Sequence, residues 1–271
     1  MKFQTHSLAI DFQKGNPDQR PFVFLHGNTQ NDSCGRGVKA FFQKRGHTVL
    51  SYDLPGHGDS KLDTTDYVFE DLIDLNHQVL QHFGIKKPIL CGHSLGGIIH
   101  CGTIARYQLE GASLILCGSY DGNPVLESLK QDQDLSEIGK MLDEYVQEGR
   151  QLFQKQFKYD YFANREVDDE EKLRVIHRQT THPAANEANL NTLGNFSARP
   201  VLSKMDIPIL VLHGEEETVI PKHLVEEMAK AYDQINICWY EGRDHYAFYQ
   251  EVELTEKYLE KNYGFIATDE H

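Results

Sequence analysis

The pentapeptide Gly92-His93-Ser94-Leu95-Gly96 carries the strongest chemical signal in the chain. A serine hydroxyl is a weak nucleophile at its own pKa, so a hydrolase presents it exposed and beside a base. A Gly-x-Ser-x-Gly turn between a strand and a helix achieves this. The turn crowds the positions two before and two after the serine, and it leaves the next backbone N–H, that of Leu95, facing the reacting carbonyl. The context fits, because the apolar run Pro88-Ile89-Leu90-Cys91 precedes the motif and helix-compatible sequence follows it. The chemistry implied is acyl transfer through Ser94.

Such a serine needs a base, and the base needs a third group that holds its tautomer. The chain has 14 histidines, so position must select among them. In a parallel sheet, catalytic loops lie at the carboxyl ends of the strands. His245 is the expected base: it follows an apolar run ending near Tyr240 and the loop Glu241-Gly242-Arg243-Asp244. His26 and His213 also end apolar runs, but each is followed by glycine, which suits hydrogen bonding within its own loop. His93 is expected to point away from Ser94, and His57, His77, His82, His100 and His177 read as core or surface residues. For the acid, the loop after Leu212 offers Glu215, Glu216 and Glu217, with Asp121 as the rival and Asp244 a further option. The charge on a tetrahedral intermediate calls for two aimed N–H donors. Leu95 supplies one, and the backbone N–H of Asn28, with Thr29 beside it, is expected to supply the other.

These residues need a frame. Short apolar runs at 7–12, 22–25, 48–52, 88–91, 113–117, 207–212 and 235–240 alternate with helix-like stretches at 38–44, 70–83, 95–107, 222–232 and 247–262. That alternation predicts an α/β class, a mostly parallel sheet with helices on both faces. Residues 120–199 break the pattern with polar, helix-compatible sequence, too long for an ordinary connection. They read as a helical cap inserted into a core formed by 1–119 and 200–271. The aromatics Phe153, Phe157, Tyr159, Tyr161 and Phe162 would either wall an apolar acyl pocket there or anchor the cap to the core. The last residues, 267–271, read as a frayed tail.

Composition narrows the partners. The formal charge of −14, with no Lys/Arg-rich run, argues against nucleic acid or an anionic membrane surface as the main partner. The N-terminal residues lack a signal-peptide core, and no apolar stretch approaches the ~18 residues of a membrane span, so a cytoplasmic protein without membrane insertion is expected. Five scattered cysteines without metal-ligand spacing read as reduced core residues.

Taken in order, Phe24-Leu25-His26-Gly27, Asp53-Leu54-Pro55-Gly56-His57-Gly58-Asp59-Ser60, Gly92-His93-Ser94-Leu95-Gly96-Gly97, the segment 208–214 with Pro221, and His245 resemble the α/β-hydrolase fold superfamily. The similarity is to the cap-bearing serine hydrolase branch of esterases, lipases and thioesterases, over nearly the whole chain. It implies Ser94 as nucleophile, His245 as base, and the Asn28 and Leu95 amides as oxyanion hole. It also selects Glu217, three residues after the His-Gly glycine and four before the proline, as the acid. Two positions depart from the family pattern: glutamate stands where aspartate is commoner, and Arg243 and Asp244 intervene between Gly242 and His245. The resemblance implies hydrolysis of a small-molecule carboxylic ester or thioester through an acyl-enzyme, with no cofactor and no metal. Carbon–carbon bond hydrolysis and cofactor-free haloperoxidation use the same triad, and fold resemblance does not choose among them. A non-catalytic small-molecule-binding protein is the alternative of another class, which competent side chains at all three positions disfavour.

Overall fold

The computed structural model of the chain describes residues 1–3, 6–122, 181–193, 196–217 and 219–268. Its centre is a seven-stranded sheet in the order β3-β5-β4-β6-β7-β8-β9. The strands are β3 (Ile10–Gln13), β4 (Phe22–Leu25), β5 (Val49–Tyr52), β6 (Ile89–His93), β7 (Ser113–Cys117), β8 (Ile209–Gly214) and β9 (Ile235–Tyr240). Only β3 runs antiparallel, against β5; the other neighbours are parallel. A two-stranded ladder of β1 (Lys2–Phe3) and β2 (His6–Ser7) lies outside the sheet.

Period-two alternation divides the strand side chains between two apolar layers. Val23, Leu25, Leu90, Leu114, Leu116, Ile209 and Val211 join one cluster, with Leu72 and Val79 of α2 (Phe69–His82), Ile98 and Ile104 of α3 (Leu95–Tyr107), and Val225 of the later helix Lys222–Ala229. Phe22, Phe24, Ile89, Cys91, Ile115, Cys117, Leu210 and Leu212 join the other, with Val38, Phe41 and Phe42 of α1 (Arg36–Gln43) and residues of the C-terminal helices. Both faces are covered, so the central strands are near-continuous apolar runs. Among the described residues, no helix is long and apolar enough to cross a membrane.

Two stretches differ from the sequence-based expectation. The run 7–12 is not one strand, because Leu8 donates its N–H to Met1 O and Ala9 donates to Ser60 Oγ, turning the chain out of the ladder between β2 and β3. The C-terminal helix predicted at 247–262 is divided, with Glu251 (ψ 60°) and Asn262 (ψ 8°) as the breaks. The Asn262 side chain donates to Tyr258 O and accepts from Asn236 Nδ2 of β9, local bonds that compete with helix continuation.

Of the predicted cap, the structure describes residues near its two ends. Phe153, Phe157, Tyr159, Tyr161 and Phe162 lie outside the described residues. Where the chain leaves and re-enters the core, Gly122 and Ser197 form an antiparallel bridge and Ala198 N–H donates to Asp121 O (2.8 Å). The helices that follow are α4 (Pro183–Leu193) and α5 (Arg199–Leu202), then α6 (Lys222–Ala229), α7 (Ala247–Gln250), α8 (Val252–Lys261) and α9 (Tyr263–Ala267). Asp121, 1% exposed, accepts two bonds from the Arg199 guanidinium (2.8 and 2.9 Å) and one from Tyr232 Oη (2.7 Å). Arg199 is only half-buried, so Asp121→Asn, which weakens the charge-assisted bonds to Arg199 and Tyr232, is expected to cost about 2 kcal/mol. The check is urea unfolding, where the midpoint falls at unchanged slope.

Candidate active site

All of the expected site residues on described segments lie at or just past the carboxyl edge of the parallel strands. The nucleophile candidate joins β6 to α3 with φ 48° and ψ −120°, a conformation that L residues rarely adopt. Such strain, of order 1–3 kcal/mol, persists only where the surroundings over-determine it. Here Ser94 N–H donates to Cys117 O (3.1 Å), while Ser94 O accepts from Ser119 Oγ (2.6 Å) and from Gly97 N–H (3.0 Å). The flanking glycines are steric necessities. A Cβ on Gly92 would lie 2.3 Å from Gly97 N, and one on Gly96 would lie 2.3 Å from Leu25 O. Within 88–105, Ser94 alone is partly exposed.

The loop after β4 runs alongside this turn: a Cβ on Gly27 would lie 2.9 Å from Ser94 Cβ. Asn28 and Thr29 form its turn, Thr29 with φ 64°, and Gln30 braces it by accepting from Gly27 N–H through Oε1 (3.0 Å). The Asn28 and Leu95 main chains therefore sit on adjoining turns at the sheet edge.

His245 and Glu217 meet across the ends of β8 and β9, with Nδ1 2.5 Å from Oε2. Both are buried, whereas Glu215 and Glu216 are exposed. The other carboxylate oxygen of Glu217 accepts from the N–H groups of Val219 (2.6 Å) and Ile220 (3.1 Å). Burial pushes the carboxyl pKa up, but His245, its hydrogen bond, His213 and the Ile220 N–H outweigh it and hold the net value below the usual glutamate range. The bond at Nδ1 leaves Nε2 as the nitrogen for proton exchange with a substrate or nucleophile. Gly118, with φ 47°, leaves room for the ring: a Cβ there would lie 3.2 Å from His245 Nδ1.

The other candidates have contacts of their own. Asp121, weighed against Glu217 for the acid, is engaged with Arg199 and Tyr232. Asp244 accepts from Tyr246 N–H (3.1 Å), and the two residues before His245 fold back so that Arg243 O accepts from Glu216 N–H (2.9 Å). That backbone pairing accommodates the long loop between Gly242 and His245. His26 spans its loop to the next, with Nδ1 2.7 Å from Gly27 O and Nε2 accepting from Leu54 N–H (2.9 Å). His213 Nε2 is 2.9 Å from Ile220 O.

Two contributors escape sequence reasoning. Although His93 turns away into the interior, it links three site loops: Nδ1 is 2.6 Å from Gln30 Oε1 and Nε2 is 3.0 Å from His245 O. Burial, then neighbouring His245, pushes its pKa well down. Period two along β6 is the signal for His93, since it shares the face of Ile89 and Cys91 on which α7 packs. Gln30 leaves no comparable trace.

Comparisons with known proteins place the chain in a family. A sequence profile described as the alpha/beta hydrolase fold matches residues 20–252. The chain belongs to the alpha/beta hydrolase fold family. It is 25% identical over 249 residues to the AB hydrolase superfamily protein YisY of Bacillus subtilis, covering 86% of this chain and 88% of that one. It is 26% identical over 229 residues to the bifunctional esterase/perhydrolase DCH of Acinetobacter calcoaceticus, covering 79% and 80%. Among solved structures, a thermophilic esterase from Thermogutta terrifontis superposes with a TM-score of 0.74 at 18% identity, over 97% of this chain and 95% of that one.

Proposed function

We propose that the protein is a serine hydrolase that cleaves a small carboxylic ester or thioester through an acyl-enzyme. The buried 2.5 Å contact between His245 and Glu217 is the observation that carries this reading, because it fixes the imidazole in the tautomer a base requires. Ser94 Oγ attacks the acyl carbon as His245 Nε2 takes its proton, and the Nδ1–H bond to ionised Glu217 stabilises the imidazolium. The backbone N–H groups of Leu95 and Asn28 hold the oxyanion. The imidazolium then protonates the leaving group, and water, activated by the same histidine, releases the acid. The esterase activity in the name of the Acinetobacter relative supports ester as the substrate class.

The experiment is a panel of p-nitrophenyl esters of increasing acyl length beside acyl-CoA thioesters, each with wild type and Ser94→Ala. Saturable turnover of at least one ester or thioester, dependent on Ser94, is expected. Turnover of none would overturn the reading.

A further inference from the structure

Helix α4 comes from the predicted cap segment, yet one of its side chains reaches the loop assigned above to the oxyanion. Asn189, 1% exposed, donates from Nδ2 to Asn28 Oδ1 (3.1 Å) and accepts at Oδ1 from Tyr67 Oη (2.8 Å). On the other side, His57 Nε2 lies 3.2 Å from the same Asn28 Oδ1, and His57 Nδ1 is 2.9 Å from Pro55 O. Burial, offset in part by Pro55 O, pulls the His57 pKa down to about 4, so this ring is neutral at pH 7. The segment around α4 is seated on the same surroundings: His182 N–H donates to Gly56 O (2.8 Å), and a Cβ on Gly56 would lie 2.6 Å from Ala185 Cβ.

The turn that receives these contacts is strained. Thr29 has φ 64°, and Gln30 N–H to Gly27 O is a long 3.3 Å bond. A non-glycine residue in the left-handed region stays there only if neighbours hold it. The Asn28 side chain is one such hold: Asn189 Nδ2 donates to its Oδ1 from α4, and the His57 ring lies against it on the other side. Asn28 precedes Thr29 in this turn, so loss of the Asn28 side-chain anchor removes a restraint on the backbone that carries the Asn28 N–H.

We propose that Asn189 is a positioning residue for the Asn28 amide, so that seating of α4 sets how well the oxyanion is held. This rests on the reading of Asn28 N–H as an oxyanion donor. Loss of a whole donor costs roughly 10²–10³-fold in kcat, so misalignment of one is expected to cost roughly tenfold.

The test compares wild type, Asn189→Asp and Tyr67→Phe on an ester that the wild type turns over, with rates normalised to active sites titrated by a fluorophosphonate. A trifluoromethyl ketone shaped like the acyl group reports on the oxyanion, and the matching methyl ketone reports on ground-state binding. Asn189→Asp replaces the donor to Asn28 with a carboxylate oxygen that repels Asn28 Oδ1, while keeping the acceptor for Tyr67. The expected result is a roughly tenfold fall in kcat, KM within about twofold, trifluoromethyl ketone affinity weakened by the same factor as kcat, and methyl ketone affinity unchanged. Tyr67→Phe, which removes the hydroxyl that donates to Asn189 Oδ1 and lies 3.5 Å from Ala185 O, shows the same pattern at roughly two- to fivefold, and it serves alone if Asn189→Asp does not fold. A merely structural role would lower the melting temperature and the titrated fraction without touching inhibitor affinity per active site, and that outcome overturns the proposal. Wild type that forms no adduct at Ser94 would instead overturn the parent reading.

Discussion

Ser94→Ala is expected to lower kcat/KM on a p-nitrophenyl ester by roughly 10⁵–10⁶-fold while leaving the thermal midpoint within a few degrees of wild type. The size follows from the mechanism: without Oγ there is no acyl-enzyme, and only the oxyanion donors and binding contacts act on a water attack. The small stability effect follows from the structure. Ser94 is held by its backbone, through Cys117 O, Ser119 Oγ and Gly97 N–H, all of which alanine keeps. Steady-state kinetics beside thermal unfolding check both halves. An alanine variant that retains a tenth of wild-type turnover would exclude Ser94 as the nucleophile.

Glu217→Gln is expected to lower kcat by roughly 10³-fold or more, because a neutral amide no longer stabilises the imidazolium and can favour the wrong tautomer. Gln Oε1 still accepts from Val219 and Ile220, so the loop keeps its shape. The same substitution has a signature in stability. Glu217 has a lower pKa folded than unfolded, so the stability it contributes is present above the ordinary glutamate value and is lost as pH falls through the lower folded value. Wild type therefore shows a steeper acid limb in unfolding free energy than Glu217→Gln, read by urea titrations at several acid pH values. Asp121→Asn makes the contrast: it loses stability through Arg199 and Tyr232 but keeps kcat in the folded fraction. Reversal of the two variants' effects on kcat would assign the acid to Asp121.

The frame was legible because its strands are buried on both faces. Runs such as Phe22–Leu25 and Ser113–Cys117 are apolar at nearly every position, and each is followed by polar or glycine-rich sequence. The catalytic candidates were legible for the same reason, since a parallel sheet aligns all its strand ends on one edge. Contacts formed across long sequence separations were not. Asp121 stands past a strand end just as Glu217 does, and its commitment elsewhere depends on Arg199, 78 residues on, and Tyr232, 111 residues on. The helix break at Asn262 depends on Asn236, 26 residues upstream. Asn189 carries no motif at all; its role emerges only once α4 is seated against Asn28 and Tyr67.

The most direct measurement of the central claim is intact-protein and peptide mass spectrometry after reaction with a fluorophosphonate. A single phosphonyl adduct on the peptide containing Ser94 is expected, complete in folded wild type, lost in Ser94→Ala and strongly slowed in His245→Ala. Folded wild type that takes up no label at Ser94, or that labels as fast without His245 as with it, would contradict the assignment of Ser94 and His245 as nucleophile and base.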